Sequence, residues 1–141
     1  MSGKRDRQEL LSRVPLFSAL SDKELDRLAR HADIVEFAAG DTLMTEGEQG
    51  QEFFVVIDGE VGVTAGETTV AKLGPGAYVG ELALLDPGPR TATVTALRDT
   101  AAVLLGSREF YAAVDESPAL ARKLLAGMAH RLREVSGPPA T

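Results

Sequence analysis

In the stretch VGELALLDPGPRTATV, residues 79–94, a helix-like apolar run stops at Asp86-Pro87-Gly88-Pro89 and a strand-like run begins. Between the two stands a single cation, Arg90. Proline fixes φ and lacks an N–H, so Glu81 to Leu85 has room for one helical turn and no more. On both sides the texture is that of short strands. IVEFA (34–38), TLMTE (42–46), EFFVVI (52–57), EVGVTA (60–65), TTVAKL (68–73) and AYV (77–79) precede the turn. ATVTAL (92–97) and TAAVLL (100–105) follow it. The separators AGD, GEQGQ, DG, GE and GPG are turn chemistry. Eight short strands at close spacing predict a roll or jelly-roll-like barrel, because a flat sheet of that many would leave edges exposed.

Helical signals flank the strands. Leu20-Ser21-Asp22-Lys23-Glu24-Leu25 has Ser and Glu three apart for a capping box, with Leu20 and Leu25 placed as a hydrophobic staple. A helix is expected from Ser21, and a shorter one over Arg5 to Ser12. After the strands, SREFYAAV begins a helix at Ser107. Ser117 as N-cap and Pro118 at the first helical position open a longer one, ending near Val135 before Gly137-Pro138-Pro139. The chain therefore reads as one domain, mainly β with flanking α. N-terminal helices occupy 1–33, an eight-stranded β-roll 34–106 with a short helix at 81–85, C-terminal helices 107–135 and a tail 136–141. Leu120, Leu124, Met128 and Leu132 recur every four residues on the last helix, where they serve a core or a dimer seam. Gly127 reads as a point where that helix bends.

Composition narrows the function. The 141 residues hold 15 Lys and Arg against 21 Asp and Glu, a net charge of −6, which disfavours DNA or RNA as a partner. There is no cysteine, hence no disulfide framework or thiolate metal site. After Lys4, Arg5 and Arg7 no apolar signal region develops, and no window reaches the length of a membrane span, so a soluble, cytoplasmic protein is expected. His31 and His130 have no carboxylate spacing typical of a metal site or catalytic triad, and no nucleophile motif occurs. A binding module without catalysis, metal or cofactor is the reading. Gly74, Gly76 and Gly80 approach a dinucleotide fingerprint, but the helix that should follow ends within a turn.

The short turn itself suggests the ligand. A helix start exposes N–H groups, and Gly80 at its entrance lets a ligand come close to the backbone. Arg90 can grip two phosphate oxygens at once, and Ala92 has no bulk to keep its own N–H from the same anion. Glu81 would repel an anion but accepts protons from the hydroxyls of a sugar. Alone, Glu81 and Arg90 are most simply a structural ion pair on a surface turn. With Gly80, Ala92 and the turn, a sugar phosphate fits better.

GELALLDPGPRTATV also resembles the phosphate-binding cassette of the cyclic-nucleotide-binding domains, the family of catabolite activator protein, protein kinase A regulatory subunits and cyclic-nucleotide-gated channels. Similar segments run through residues 16–135: PLFSALS, EGEQGQEFFVVIDGEVGV and LGPGAYVGE. The resemblance implies a β-roll that binds cyclic AMP or cyclic GMP and regulates by moving its C-terminal helix. It implies Glu81 on the ribose 2′-hydroxyl, with the Gly80 and Leu82 backbone nearby. The cyclic phosphate would meet Arg90, the Ala83 and Ala92 amides and the Thr91 hydroxyl, which in cyclic-GMP-responsive members also reaches the guanine amino group. Met128 and Leu132 become candidates for covering the base. Ala77 and Val79 depart from the family's usual acidic and aromatic residues, which bears on packing. Family members that read DNA carry a helix-turn-helix after this helix; only Ser136–Thr141 follow here, so no DNA contact is expected. A homodimer through the C-terminal helix, an effector protein, a ligand-free docking role, or excision from a larger enzyme or channel are the alternatives for partners.

Overall fold

The computed structural model describes residues 3–136. Its chain clusters into two compact units: residues up to His31 together with those from Phe110 onward, and Ala32–Glu109. The tail beyond Ser136 lies outside the described residues.

The first unit is helical. It contains α1 (Gly3–Ser12), a 3₁₀ turn (Pro15–Phe17), α2 (Asp22–Arg30), the greater part of α3 (Ser107–Glu116), and α4 (Pro118–Ser136). The capping box forms as the sequence predicts. Glu24 N–H donates to Ser21 Oγ at 3.3 Å, and Ser21 N–H donates to Glu24 Oε1 at 2.8 Å. Lys123 Nζ of α4 donates to the same oxygen at 2.8 Å, so one buried carboxylate ties the start of α2 to α4. Burial disfavours its charge, yet the bonds from Lys123 and Ser21 outweigh that and hold its pKa below the ordinary 4.5. His31, the C-cap residue of α2, shares Glu116 with Arg27, at 3.1 and 3.3 Å. The side chain of His130 lies outside the described residues.

Leu120 and Leu124 of the four-residue stripe are buried, whereas Met128 is half-buried and Leu132 is 63% exposed. The stripe is thus divided, and Leu125, outside it, is 66% exposed. Gly127 does more than permit bending. It is buried, and a Cβ there would strike the Leu16 carbonyl oxygen, so its lack of a side chain lets α4 lie directly on the Pro15–Phe17 turn.

The second unit is the roll. Its strands are β1 (Asp33–Phe37), β2 (Thr42–Met44), β3 (Gln49–Gly50), β4 (Glu52–Asp58), β5 (Val61–Ala65), β6 (Thr68–Leu73), β7 (Tyr78–Val79), β8 (Gly88–Pro89), β9 (Thr93–Ala96) and β10 (Thr100–Gly106). All eight expected strands are present, with β3 and β8 in addition. They form two four-stranded antiparallel sheets, β1-β10-β4-β7 and β2-β9-β5-β6, and a two-stranded ribbon, β3-β8. The roll does not close into a barrel as the strand count suggested. Two of its edges are too short to bridge the sheets: β7 ends after two residues where Gly80 turns the chain, and β2 ends at Met44. Short edges are also poor templates for unwanted pairing. Val56, Val61 and Val94 are buried between the sheets, with Leu43, Met44, Val63, Leu73 and Val79 packed around them. This apolar layer forms the floor on which the site is built.

Candidate functional site

The turn predicted after Gly80 is a 3₁₀ helix, Glu81–Leu84. Gly80 enters it at φ +82°, a left-handed conformation that side chains other than glycine's disfavour. The Ala83 N–H donates to the Gly80 carbonyl at 3.0 Å, closing the turn. Glu81 is buried, at 8% exposure. Leu82 belongs to the turn by its backbone, while its side chain lies outside the described residues.

Arg90 lies between β8 and β9, and its main chain is tied to the loop before β3. Its N–H donates to the Glu48 carbonyl at 2.8 Å, and its own carbonyl accepts from Gly47 N–H at 2.9 Å. The side chain crosses β3 at Gly50, where a Cβ would overlap Nε, Cδ and Cζ. Its Nη2 donates to the Glu52 carbonyl at 2.8 Å. A Cβ on Gly80 would lie 2.8 Å from Nη1 and equally close to that carbonyl. Gly50 of β3 and Gly80, just past the end of β7, thus form the slot that fixes the guanidinium. Burial draws the Arg90 pKa below the ordinary guanidinium value, and the Glu52 carboxylate opposes the shift. The group remains a cation at neutral pH.

A pocket of about 480 Å³ opens beside these groups, within the size range of small-molecule sites. It brings together Gly80, Glu81, Ala83, Arg90, Thr91 and Ala92, six of the residues singled out in the sequence. Met44, Val63, Val79 and Val94 supply an apolar wall, and Asp86, Gly88 and Pro89 complete the rim. Met128 and Leu132 are on α4, in the helical unit. Thr91 is exposed and lines the pocket. The apolar wall was partly readable, since alternation in TLM, VGV and TVT marks which residues face inward. Gly50 was not, because it acts through contact with a side chain 40 positions away along the chain (90 minus 50). Another depression, of about 390 Å³, is lined by Glu36, Asp58 and Asp99 and by no cation, which unsuits it to a phosphate.

An open β-roll whose pocket brings a buried carboxylate and a seated guanidinium together beside one 3₁₀ turn has the make-up of a ligand-binding domain. The chain belongs to the cyclic nucleotide-binding domain family, whose profile matches residues 34–117. It is 40% identical over 93 residues to a cAMP-dependent protein kinase regulatory subunit of Mycosarcoma maydis, covering 63% of this chain and 18% of that protein. It is 29% identical over 133 residues to the CRP-like cAMP-activated global transcriptional regulator of Mycobacterium tuberculosis, covering 91% of this chain and 59% of that one. Among solved structures, the N-terminal domain of a transcriptional regulator from Streptomyces coelicolor A3(2) superposes with a TM-score of 0.83 at 38% identity, covering 90% and 92% of the two chains. The chain therefore spans less than two thirds of these curated relatives, which carry regulatory names. Among the described residues no group of three or more acidic or histidine side chains is placed to hold a metal ion. No described helix is long and apolar enough to cross a membrane.

Proposed function

We propose that this chain is a cyclic-nucleotide sensor that takes cyclic AMP or cyclic GMP into the 480 Å³ pocket. The observation that carries the reading is that Glu81, which is buried, and Arg90, which is half-buried, line one pocket beside the 3₁₀ turn. Arg90 holds the cyclic phosphate by charge-assisted bonds, and Glu81 accepts the ribose 2′-hydroxyl. The Ala92 amide and the Thr91 hydroxyl add donors to the phosphate, and the valines and Met44 give the base an apolar surface.

The output is a change in the position of α4, with Met128 and Leu132 covering the base in the bound state. Ligand that prefers one position of the helix shifts its population toward it. The exposed Leu125 and Leu132, seven residues apart on α4, offer a seam to a second copy of the chain. Catalysis has no part in this reading.

Calorimetric titration with cyclic AMP, cyclic GMP and their 2′-deoxy forms tests it. Saturable binding of at least one ribo form, weaker binding of its deoxy form, and a smaller loss for Glu81→Gln than for Glu81→Ala are expected. Absence of binding by both ribonucleotides refutes the sensor reading.

A further inference from the structure

Three ionisable side chains line the pocket, and their charges do not cancel. Arg90 is the one cation, while Glu81 and Asp86 are both carboxylates. Glu52 adds a further negative charge close enough to act on Arg90. Glu81 has a place in the proposed sugar contact. Asp86 has none. It is exposed at the rim and enters no ion pair among the described residues.

Nor is Asp86 free to drift away. Pro87 and Pro89 each fix one backbone torsion of the segment that joins it to Arg90. Gly88 and Pro89 are paired with Gln49 and Gly50 in the β3-β8 ribbon, which anchors the same segment to the slot that seats the guanidinium. The backbone that carries Asp86 is therefore anchored, and the residue lines the pocket while exposed to solvent, four residues ahead of Arg90.

Resting on the cyclic-nucleotide reading, we infer that Asp86 is a specificity-determining residue that sets the charge the pocket accepts, admitting a singly charged phosphodiester and disfavouring a doubly charged phosphomonoester. A cyclic nucleotide carries one negative charge on its phosphate. The linear nucleotide left when the ring is opened carries about −1.5 to −2 near neutral pH, because its second proton is lost near pH 6. One arginine neutralises the first charge, and the second meets neutral donors and two carboxylates but no further cation of the lining. A sensor with this rim discards its own signal once the signal is hydrolysed.

Coulomb repulsion scales with ligand charge, so removing Asp86 favours a dianion twice as much in free energy as a monoanion. For an exposed charge a few ångströms from the phosphate, the difference amounts to about two- to fivefold in relative affinity at low salt. The test compares dissociation constants of cyclic AMP and 5′-AMP for the whole chain and its Asp86→Asn and Asp86→Lys variants. Competition against a fluorescent cyclic nucleotide in low and high salt gives both constants. The ratio of 5′-AMP to cyclic AMP constants should fall about two- to fivefold in Asp86→Asn and further in Asp86→Lys, with the effect shrinking in high salt. In the wild type, 5′-AMP should bind more tightly as pH drops from about 7.5 to 5.5 and it gains a proton, relative to cyclic AMP in the same buffer.

If both ligands change affinity by the same factor in Asp86→Asn, the residue does not count charge and the inference is wrong. Equal ratios in all three proteins overturn it equally. Wild-type protein that binds 5′-AMP but not cyclic AMP, or neither, sinks the sensor reading first and this inference with it. The two failures are thereby told apart.

Discussion

Replacing Gly50, which does not itself line the pocket, with alanine should disable the site through Arg90. The methyl group would overlap Arg90 Nε, Cδ and Cζ. Comfortable separation between such atoms is about 3.5–4.0 Å, so the side chain must swing aside by roughly 1 Å or more. Gly50 is not at positive φ, so the backbone accepts alanine and the strain falls on the arginine. Moving it breaks the 2.8 Å bond to the Glu52 carbonyl and misaligns the guanidinium with the phosphate. A charge-assisted hydrogen bond contributes about 1.5–3 kcal/mol, so the dissociation constant should rise roughly 10- to 100-fold. Folding should suffer by only about 1 kcal/mol, because the freed carbonyl belongs to an exposed residue that water can reach. Gly74→Ala is the control, since nothing lies within 4 Å of a Cβ placed there. Titration calorimetry with cyclic AMP, alongside thermal melting, reads both effects. Affinity for Gly50→Ala within about twofold of the control would refute the claim that this slot positions the arginine.

Arg90→Leu removes the cation outright and should weaken binding by about 2–5 kcal/mol, roughly 30-fold to several thousandfold, with unliganded stability unchanged or higher; titration checks the first and melting the second. Gly127→Ala should destabilise the helical unit by about 1–3 kcal/mol despite alanine's better helix propensity, because the Leu16 carbonyl cannot yield as a side chain would. A rise in melting temperature would contradict that close approach. Glu24 has a folded pKa below its ordinary 4.5, so its contribution is present above that pH and is lost as pH falls through the folded value. The stability gap between wild type and Glu24→Gln, from denaturant titrations at a series of pH values, should therefore narrow on acidification; a gap that stays constant would argue against a titrating Glu24.

What the sequence disclosed follows the range of the interaction involved. Ser21 and Glu24 are three residues apart, and the capping box between them could be read directly. The third partner of Glu24 could not, since Lys123 is 99 residues away and a lysine on a helix gives no sign of its target. Eight strands announced themselves by composition and turn residues, the two-residue β7 through its AYV run, whereas β3 and β8 lie within GEQGQ and DPGP, whose composition reads as turn. That ribbon explains why Gly50, the key to the seating of Arg90, escaped notice while Glu81, Arg90 and Ala92 did not. Counting strands also could not decide closure, which depends on the length of particular edges. The division of the α4 stripe into buried leucines and an exposed one likewise depends on what packs against it.

The slot formed by Gly50, Gly80 and the Glu52 carbonyl has an entropic consequence. Arginine in solvent samples many rotamers, and immobilising such a side chain on binding costs about 0.5–1.5 kcal/mol. Here the rotamer is selected when the roll folds, before any anion arrives. On the proposed reading a cyclic phosphate would meet a preorganised donor, an advantage of about two- to tenfold in affinity over an arginine that must first be gathered from water.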